Sequence, residues 1–202
     1  MSKKQVIFVQ GYGDYSDGVW PNWLAHELVK FGFDFNYVNM PDIMYPEVNE
    51  WVNFLKKQKI SVDKNTYFVG HSLGCITIAR YLETLSKGIT AGGCVFVAGF
   101  CSLPKVPLLS EFCTLPLDFS KVIEHAGEVV VVLSDNDNLI PRVSSEEFAL
   151  KLSAKIIIEN NKGHFKSDVK EIHSVLNTIL EMDQMNKEKR EMKSLKRSAT
   201  RG

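Results

Sequence analysis

The sequence has few cysteines, no long apolar run and no net charge, and each shortage narrows the possible classes of protein. No apolar segment approaches the roughly 20 residues that a membrane-spanning helix requires. Lysine and arginine together number 24, as do aspartate and glutamate, so the overall charge is balanced. The cysteines lack the paired spacing of a metal site and are expected to be reduced thiols: Cys75, Cys94, Cys101 and Cys113.

The chain of 202 residues is long enough to form one domain with an adequate hydrophobic core. Hydrophobic residues make up 45% and charged residues 24%, which are ordinary values for a globular chain. The first residues lead straight into an apolar strand candidate and do not resemble a secretory signal, so a cytoplasmic location is expected. We expect one domain over residues 1–186 and a basic tail over residues 187–202.

The tail carries seven lysines or arginines and two glutamates, so its net charge is +5 and the preceding 186 residues carry a net charge of −5. We expect it to extend the last helix before fraying. A solvated run of charge is one interpretation, and a weak contact with nucleic acid or an anionic membrane is the other. The tail has no aromatic residue that could stack on a base, so nucleic acid is not an expected partner.

Strand and helix patterns alternate along the chain. The strand candidates are rich in Val, Ile and Phe without polar alternation, which indicates a sheet covered on both faces. The sequence therefore predicts an α/β fold with a doubly wound, mainly parallel sheet of about six strands and no lid domain. Strands are predicted at residues 5–10, 33–39, 65–70, 93–98, 128–134 and 155–159. Helices are predicted near residues 19–31, 46–59, 73–87, 118–126, 143–153 and from 168 onward.

The most informative motif is G-x-S-x-G at residues 70–74, with Ser72 at its centre. An apolar strand candidate precedes it and a helical pattern follows, which is the context of a nucleophile elbow. The glycines allow the tight turn that raises the serine hydroxyl above the sheet edge. The structural alternative is a glycine-flanked serine that only caps a helix.

A nucleophilic serine needs a base and a third group that orients the base. Three histidines follow Ser72. His125 lies where a helix pattern ends, and His173 lies within the last helix pattern. His164 follows an apolar strand in a short polar loop between Gly163 and Phe165 and is the preferred base, although it could instead be a loop residue that caps the final helix.

The acid is expected in the loop after the preceding strand, where Asp135 and Asp137 compete. Asp137 precedes a Leu-Ile-Pro turn that would aim it inward, whereas Asp135 could bond the backbone of its own loop. We favour Asp137. The same loop partly fits a calcium-binding pattern, but Ile140 stands where that pattern needs glycine, so no metal or other cofactor is expected.

An oxyanion hole needs two backbone N–H donors. The residue after the nucleophile, Leu73, supplies one, and Tyr12 in the Gly11-x-Gly13 loop after the first strand is the candidate for the other. The same glycines fit a dinucleotide-binding motif poorly, because the third glycine is displaced to Gly18.

Residues 99–117 interrupt the alternation of strands and helices and are rich in apolar residues and proline. They leave the sheet at the same edge as Ser72, so we expect a loop that forms a wall of the substrate pocket. From loop positions, a small apolar pocket is expected. Its predicted lining is Tyr12, Trp20, Phe100, Leu103 and Phe165.

Taken together, these motifs resemble the small α/β-hydrolase family of serine hydrolases related to retinoblastoma-binding protein 9 and its bacterial relatives. The resemblance covers about residues 5–182, and in that family the second aspartate of the loop is the triad acid, which implies Asp137. The chain departs from the family at Gln10, where proline is frequent, and at Leu73, where serine is common. The resemblance rests on Gly11 and Gly13, Trp20, Trp23 and Leu24, residues 39–42, residues 70–72, Asp137 with Pro141, and residues 163–165.

The resemblance implies a serine hydrolase, of the carboxylesterase or thioesterase type, that acts on small acyl substrates without a cofactor. Ser72, His164 and Asp137 would be its triad. The alternative is a hydrolase-fold interaction module with weak or vestigial activity, whose partner would bind the basic tail or the 99–117 loop.

Overall fold

The computed structural model describes residues 3–13, 19–102 and 109–199, with side chains up to residue 196. Its strands are β1 (Lys4–Val9), β2 (Phe33–Val38), β3 (Thr66–His71), β4 (Gly93–Val97), β5 (Glu128–Ser134) and β6 (Lys155–Glu159). Its helices are α1 (Val19–Lys30), α2 (Val48–Lys57), α3 (Leu73–Leu82), α4 (Glu111–Thr114), α5 (Phe119–Ala126), α6 (Arg142–Lys151) and α7 (His173–Ala199).

The six strands form one sheet in the order β2-β1-β3-β4-β5-β6, and every neighbouring pair is parallel. The chain first moves from β1 outward to β2, then returns to the other side of β1 and continues through β6. The strand order therefore reverses between β1 and β3, where a crevice opens at the carboxyl ends of the strands. The predicted doubly wound, parallel sheet of six strands is confirmed.

Strand β1 shows why the sheet must be covered on both faces. Val6 and Phe8 point into one buried cluster, while the alternate residues Ile7 and Val9 point into another. Helices α1 and α7 cover the first face, and helices α2, α3, α5 and α6 cover the second. Because successive side chains of a strand face opposite ways, an apolar residue at every position requires two hydrophobic layers.

The 99–117 segment is not a simple loop along its described length. It contains α4, whose Phe112 is fully buried and packs edge-on against Trp51 at a centroid distance of 5.8 Å. The buried Arg80 guanidinium donates to the backbone oxygens of Phe112 and Leu115. These contacts attach the returning part of the segment to α2 and α3.

Helix α7 continues without a break across the predicted boundary at residue 186. Asn186 donates to the Gly92 carbonyl oxygen at 2.9 Å, and Arg190 donates to Asn65. The start of the predicted tail is thus packed against the domain. Within the described ranges, no helix has the combination of length and apolar character that crossing a membrane would require.

Candidate active site at the carboxyl edge of the sheet

Ser72 lies at the sharp turn between β3 and α3. Its backbone adopts φ 52° and ψ −116°, a region that residues with a side chain rarely occupy. The turn is fixed by backbone bonds on both sides: Ser72 N donates to the Val97 oxygen at 2.8 Å, and Cys75 N donates to the Ser72 oxygen at 3.0 Å. This geometry is the strand–turn–helix elbow that the motif predicted.

The glycines of the motif are required because backbone atoms crowd the turn. A Cβ atom added to Gly74 would lie 2.1 Å from the Val9 carbonyl oxygen, and one added to Gly70 would lie 2.8 Å from the backbone of Cys75. No side chain can move aside to relieve either overlap. The close approach of α3 to β1 thus depends on glycine at residue 74, and the close approach of α3 to β3 depends on glycine at residue 70.

The hydroxyl of Ser72 begins a chain of two hydrogen-bond contacts. His164 Nε2 lies 2.9 Å from Ser72 Oγ, and His164 Nδ1 lies 2.7 Å from Asp137 Oδ2. The side chains of His164 and Asp137 are only 7% and 3% exposed, so water scarcely competes for these contacts. Since a carboxylate can only accept, Nδ1 carries the proton and Nε2 is left to accept the proton of the serine hydroxyl.

Asp137 and its neighbour Asp135 have different partners. Oδ1 of Asp137 accepts from the backbone N–H groups of Leu139 and Ile140, both at 2.9 Å, which leaves Oδ2 directed at His164. Asp135 is exposed and accepts from the backbone N–H of Asn161 at 2.8 Å. The structure therefore joins Asp137, and not Asp135, to the histidine.

The other two histidines that follow Ser72 have partners elsewhere. His125 is buried, and its Nδ1 lies 2.6 Å from the carbonyl oxygen of Ile89. His173 is exposed and contacts Glu171 and the ring of Trp23.

The loop after β5 also positions the backbone of the loop that carries His164. Three consecutive side chains at the end of β5 accept from three consecutive backbone N–H groups, at 2.8–3.0 Å. The pairs are Asp135 with Asn161, Ser134 with Lys162, and Asn136 with Gly163. With the Asp137–His164 contact, the four successive residues 134–137 hold the four successive residues 161–164.

Two buried rings hold the other side of the His164 loop. His71 Nε2 lies 2.9 Å from the His164 carbonyl oxygen, and Trp20 Nε1 donates to the Phe165 carbonyl oxygen at 2.9 Å. Phe165 itself has a φ of 53°, so the turn needs such support. Burial, together with the nearby His164 ring, lowers the pKa of His71 well below its usual value, and the neutral ring donates from Nε2.

The loop after β1 lies directly against the serine. A Cβ atom added to Gly11 would be 2.9 Å from Ser72 Cβ, so only glycine permits this approach. Gly13 N donates to the Ile43 oxygen at 2.9 Å and fixes the far end of the loop, and Tyr12, between the two glycines, is half-buried. Leu73 is the first residue of α3. Both predicted oxyanion-hole residues are thus adjacent to Ser72 or to a residue packed against it.

Comparisons with known proteins show which family the chain belongs to. The family model described as serine hydrolase matches residues 6–181, which is most of the chain. The chain belongs to the serine hydrolase family. It is 35% identical over 166 residues to the hydrolase YdeN of Bacillus subtilis (strain 168), covering 82% of this chain and 87% of the relative. It is 24% identical over 184 residues to serine hydrolase RBBP9 of Rattus norvegicus, covering 90% and 95% of the two chains.

Solved structures agree with this assignment. The crystal structure of the ydeN gene product from B. subtilis superposes with a TM-score of 0.85 at 32% identity, covering 89% of this serine hydrolase and 98% of that chain. The bromoperoxidase BpoC of Mycobacterium tuberculosis H37Rv superposes with a TM-score of 0.68 at 12% identity, covering 92% and 93%. The second likeness shows the fold alone.

The predicted pocket lining needs correction in this serine hydrolase. Trp20, Phe100 and Phe165 have no exposed surface and belong to the two hydrophobic clusters, so a substrate cannot contact them in this structure. Loop position misled the prediction, because apolar residues beside a site also pack the core beneath it. Tyr12 is half-buried next to the site, and Leu103 lies outside the described residues.

Several residues that build the serine hydrolase site were not predicted from the sequence. His71 was part of the motif but stood at a position that the motif leaves free. Ser134 precedes the candidate acids and Asn136 lies between them, and their short polar side chains are typical of loops that bond backbone N–H groups. That composition was a usable signal, but nothing in the sequence showed which loop would receive the bonds.

Proposed function

We propose that this serine hydrolase cleaves small carboxylic ester or thioester substrates through an acyl-enzyme formed on Ser72. The observation that carries the proposal is the buried contact chain from Ser72 Oγ through His164 to Asp137. A serine hydroxyl is a weak nucleophile until an adjacent base can take its proton. The strained turn places that hydroxyl at the carboxyl edge of the sheet, where the crevice lies.

In the acylation step, Ser72 Oγ attacks the substrate carbonyl carbon while His164 Nε2 takes the hydroxyl proton. Asp137 holds the ring in the tautomer that accepts at Nε2 and stabilises the imidazolium that forms. The carbon–oxygen or carbon–sulfur bond of the substrate then breaks, and His164 returns its proton to the leaving alcohol or thiol. The acyl group remains on Ser72.

The backbone N–H groups of Leu73 and Tyr12 would stabilise the negative oxygen of the tetrahedral intermediate. Leu73 is at the amino end of α3, where unpaired N–H groups and the helix dipole favour negative charge. The packing of Gly11 against Ser72 supports the placement of Tyr12 at the same oxygen. One such donor typically contributes a factor of roughly 10²–10³ in rate.

Deacylation repeats the same proton transfers with water as the nucleophile. His164 takes a proton from the water, the water oxygen attacks the acyl carbon, and Ser72 leaves with the proton from His164. The products are a carboxylic acid and the free enzyme.

The four cysteines have no disulfide partner, which supports the cytoplasmic location that we propose for this reaction.

The test is intact-mass analysis after treatment with a fluorophosphonate probe, combined with hydrolysis of p-nitrophenyl acetate. Wild-type protein should gain one adduct, and Ser72→Ala should gain none. The Ser72→Ala change should also lower the rate of ester hydrolysis by a factor on the order of 10³ or more, because no nucleophile remains.

Ser86→Ala is the matched control, since Ser86 is an exposed serine in the loop after α3. It should label and hydrolyse like the wild type. An adduct that persists in Ser72→Ala would refute the assignment of the nucleophile. No adduct on folded wild-type protein would instead favour the interaction-module hypothesis.

A further inference from the structure

A second concave feature lies at the edge of the sheet opposite Ser72. It is a cleft of about 460 Å³ between α7 and the residues that precede β3, β4 and β5. Lys64, Gly92 and Gly127 line its floor, and Asn186 and Lys189 of α7 form one wall. Because all strands are parallel, their amino ends meet at this edge and their carboxyl ends meet at the site. The cleft is therefore separate from the Ser72 site.

The cleft has a strong excess of positive charge. Four cationic side chains line it: Lys64, Lys189, Arg190 and Lys193. The carboxylate among its described lining residues is Glu128, and this group already pairs with Lys155 at 2.6 Å. Cations that are held close together on a concave surface repel each other, so an anion that enters is bound favourably.

Contacts with the domain fix parts of this cleft in place. Lys64 Nζ donates to the Ala91 carbonyl oxygen at 3.3 Å, and Arg190 donates to Asn65. Asn186 donates to the Gly92 oxygen and to the Tyr67 hydroxyl. These bonds are made to backbone or neutral groups, so they hold the side chains without cancelling their charge.

Burial and a neighbouring positive charge both act on the ammonium group of Lys64. Partial burial of its ammonium end and the positive charge of Lys189 lower the pKa of Lys64 from its usual value. A bound anion would counteract the effect of the Lys189 charge, because an opposite charge favours the protonated form of a lysine.

We propose that this cleft binds a compact, multiply charged phosphate group, such as a polyphosphate chain. Its volume lies within the range of small-molecule sites, and its concave shape suits a compact ligand. Lysine and arginine are the residues that bind phosphate, through point charges and forked N–H groups. The described lining includes no aromatic ring that could stack on a base, so the phosphate itself is the recognised part.

The test is isothermal titration of the full chain with inorganic tripolyphosphate at low salt. Wild-type protein should bind one tripolyphosphate per chain, and the affinity should fall as salt rises. The double variant Lys64→Gln and Lys189→Gln should lose about tenfold or more in affinity, because two of the four cations are neutralised. Lys193→Gln neutralises one cation of the cleft instead of two and should weaken binding to a smaller extent.

Lys57→Gln is the control, since Lys57 is an exposed lysine at the end of α2 and outside the cleft. It should leave the affinity unchanged. Thermal unfolding of each variant shows whether it is folded, and Lys193→Gln keeps the test valid if the double variant does not fold. ATP that binds as tightly as tripolyphosphate would identify nucleotides as one source of the phosphate group.

Three results would overturn the proposal. One is no binding of tripolyphosphate to the wild type, and another is equal binding by the wild type and all cleft variants. The third is binding of duplex DNA or anionic vesicles, sensitive to the same variants, without binding of tripolyphosphate. That result would make the surface a macromolecular contact instead of a small-ligand site.

Discussion

At the scale of single residues, the site depends on residues that their backbone geometry and hydrogen bonds hold in one orientation. Ser72 has a positive φ, which costs about 1–3 kcal/mol for a residue with a Cβ atom. Asp137 uses one oxygen for two backbone N–H groups and the other for His164. A carboxylate held in this way stays directed at the imidazole without any movement during the reaction.

The first prediction compares the two aspartates of the loop after β5. Asp137→Asn should lower kcat/KM for p-nitrophenyl acetate by roughly 10³–10⁴-fold, because an amide can present an N–H to His164 and favour the wrong tautomer. Asp135→Asn keeps an oxygen acceptor for Asn161 N and should change kcat/KM by less than about threefold. Equal effects of the two changes would contradict the assignment of the acid.

The second prediction concerns the pH dependence of stability through His71. Its pKa is lowered in the folded protein, chiefly by burial, so below about pH 6.5 the unfolded chain binds a proton that the folded chain does not. The stabilisation that comes from keeping His71 neutral is fully present above that pH. As the pH falls below it, the free energy of unfolding decreases by up to about 1.4 kcal/mol per pH unit. Urea unfolding at pH 7.5, 6.5 and 5.5 measures this slope.

His71→Gln supplies the comparison, since glutamine can still donate an N–H but does not titrate. Its free energy of unfolding should fall less between pH 6.5 and 5.5 than that of the wild type. The comparison uses the slope, so a uniform loss of stability in the variant does not affect it. Parallel curves would show that His71 is not the group responsible.

At the scale of elements, the site is built where loops of different strands meet. The end of β5 and the loop that follows it hold the loop after β6 through three side chain–backbone bonds and the Asp137–His164 contact. On the other side, α1 and the end of β3 reach the same loop through Trp20 and His71. His164 is therefore fixed by elements from three separate parts of the chain.

The third prediction tests the contact between α3 and β1. Gly74→Ala should lower the free energy of unfolding by more than about 2 kcal/mol, because the new methyl group overlaps the Val9 carbonyl oxygen and the backbone must shift. Activity should fall with it, since α3 carries the turn at Ser72. Urea unfolding and ester hydrolysis measure the two effects.

Gly88→Ala separates overlap from backbone strain. Gly88 has φ 89° but no atom within 4 Å of an added Cβ, so alanine there meets only conformational strain of about 1–2 kcal/mol. Activity should be retained. If Gly88→Ala destabilised the protein as much as Gly74→Ala, overlap would not be the reason for glycine at residue 74.

At the scale of the whole molecule, the parallel sheet separates two edges of different chemistry. The residues of the proposed triad follow β3, β5 and β6, so all three lie at the carboxyl edge. The cationic cleft lies at the amino edge and takes three of its four charges from α7. Because the sheet separates the two edges, we expect that a change at one edge leaves the other edge undisturbed.

The fourth prediction is that removal of residues 187–202 leaves ester hydrolysis within about twofold of the full chain, because the site is at the opposite edge. The midpoint of thermal unfolding should fall by about 2–4 °C, since the Arg190–Asn65 bond is lost. Circular dichroism and p-nitrophenyl acetate hydrolysis measure these effects. Loss of hydrolysis in a folded truncated protein would show that the end of α7 supports the site.

Much of the fold was predictable because its signals are local. The predicted strand at residues 128–134 coincides with β5, and the prediction at residues 5–10 differs from β1 (Lys4–Val9) by one residue at each end. Helix α4 was missed because four residues are too few to show a period of 3.6. The tail boundary at residue 186 was drawn where composition changes, whereas backbone hydrogen bonding continues through α7.

The sequence by itself determined the order of the elements, the turn at Ser72 and the short list of candidate bases and acids. These follow from the spacing of apolar residues, glycines and polar loop residues within about ten positions of each other. Only the tertiary structure decided that Asp137 contacts His164, that Trp20 and Phe165 pack in the core, and that α7 completes a cationic cleft. The physical reason is that each of these depends on which strands lie side by side, and on the direction of each side chain, neither of which spacing along the chain specifies.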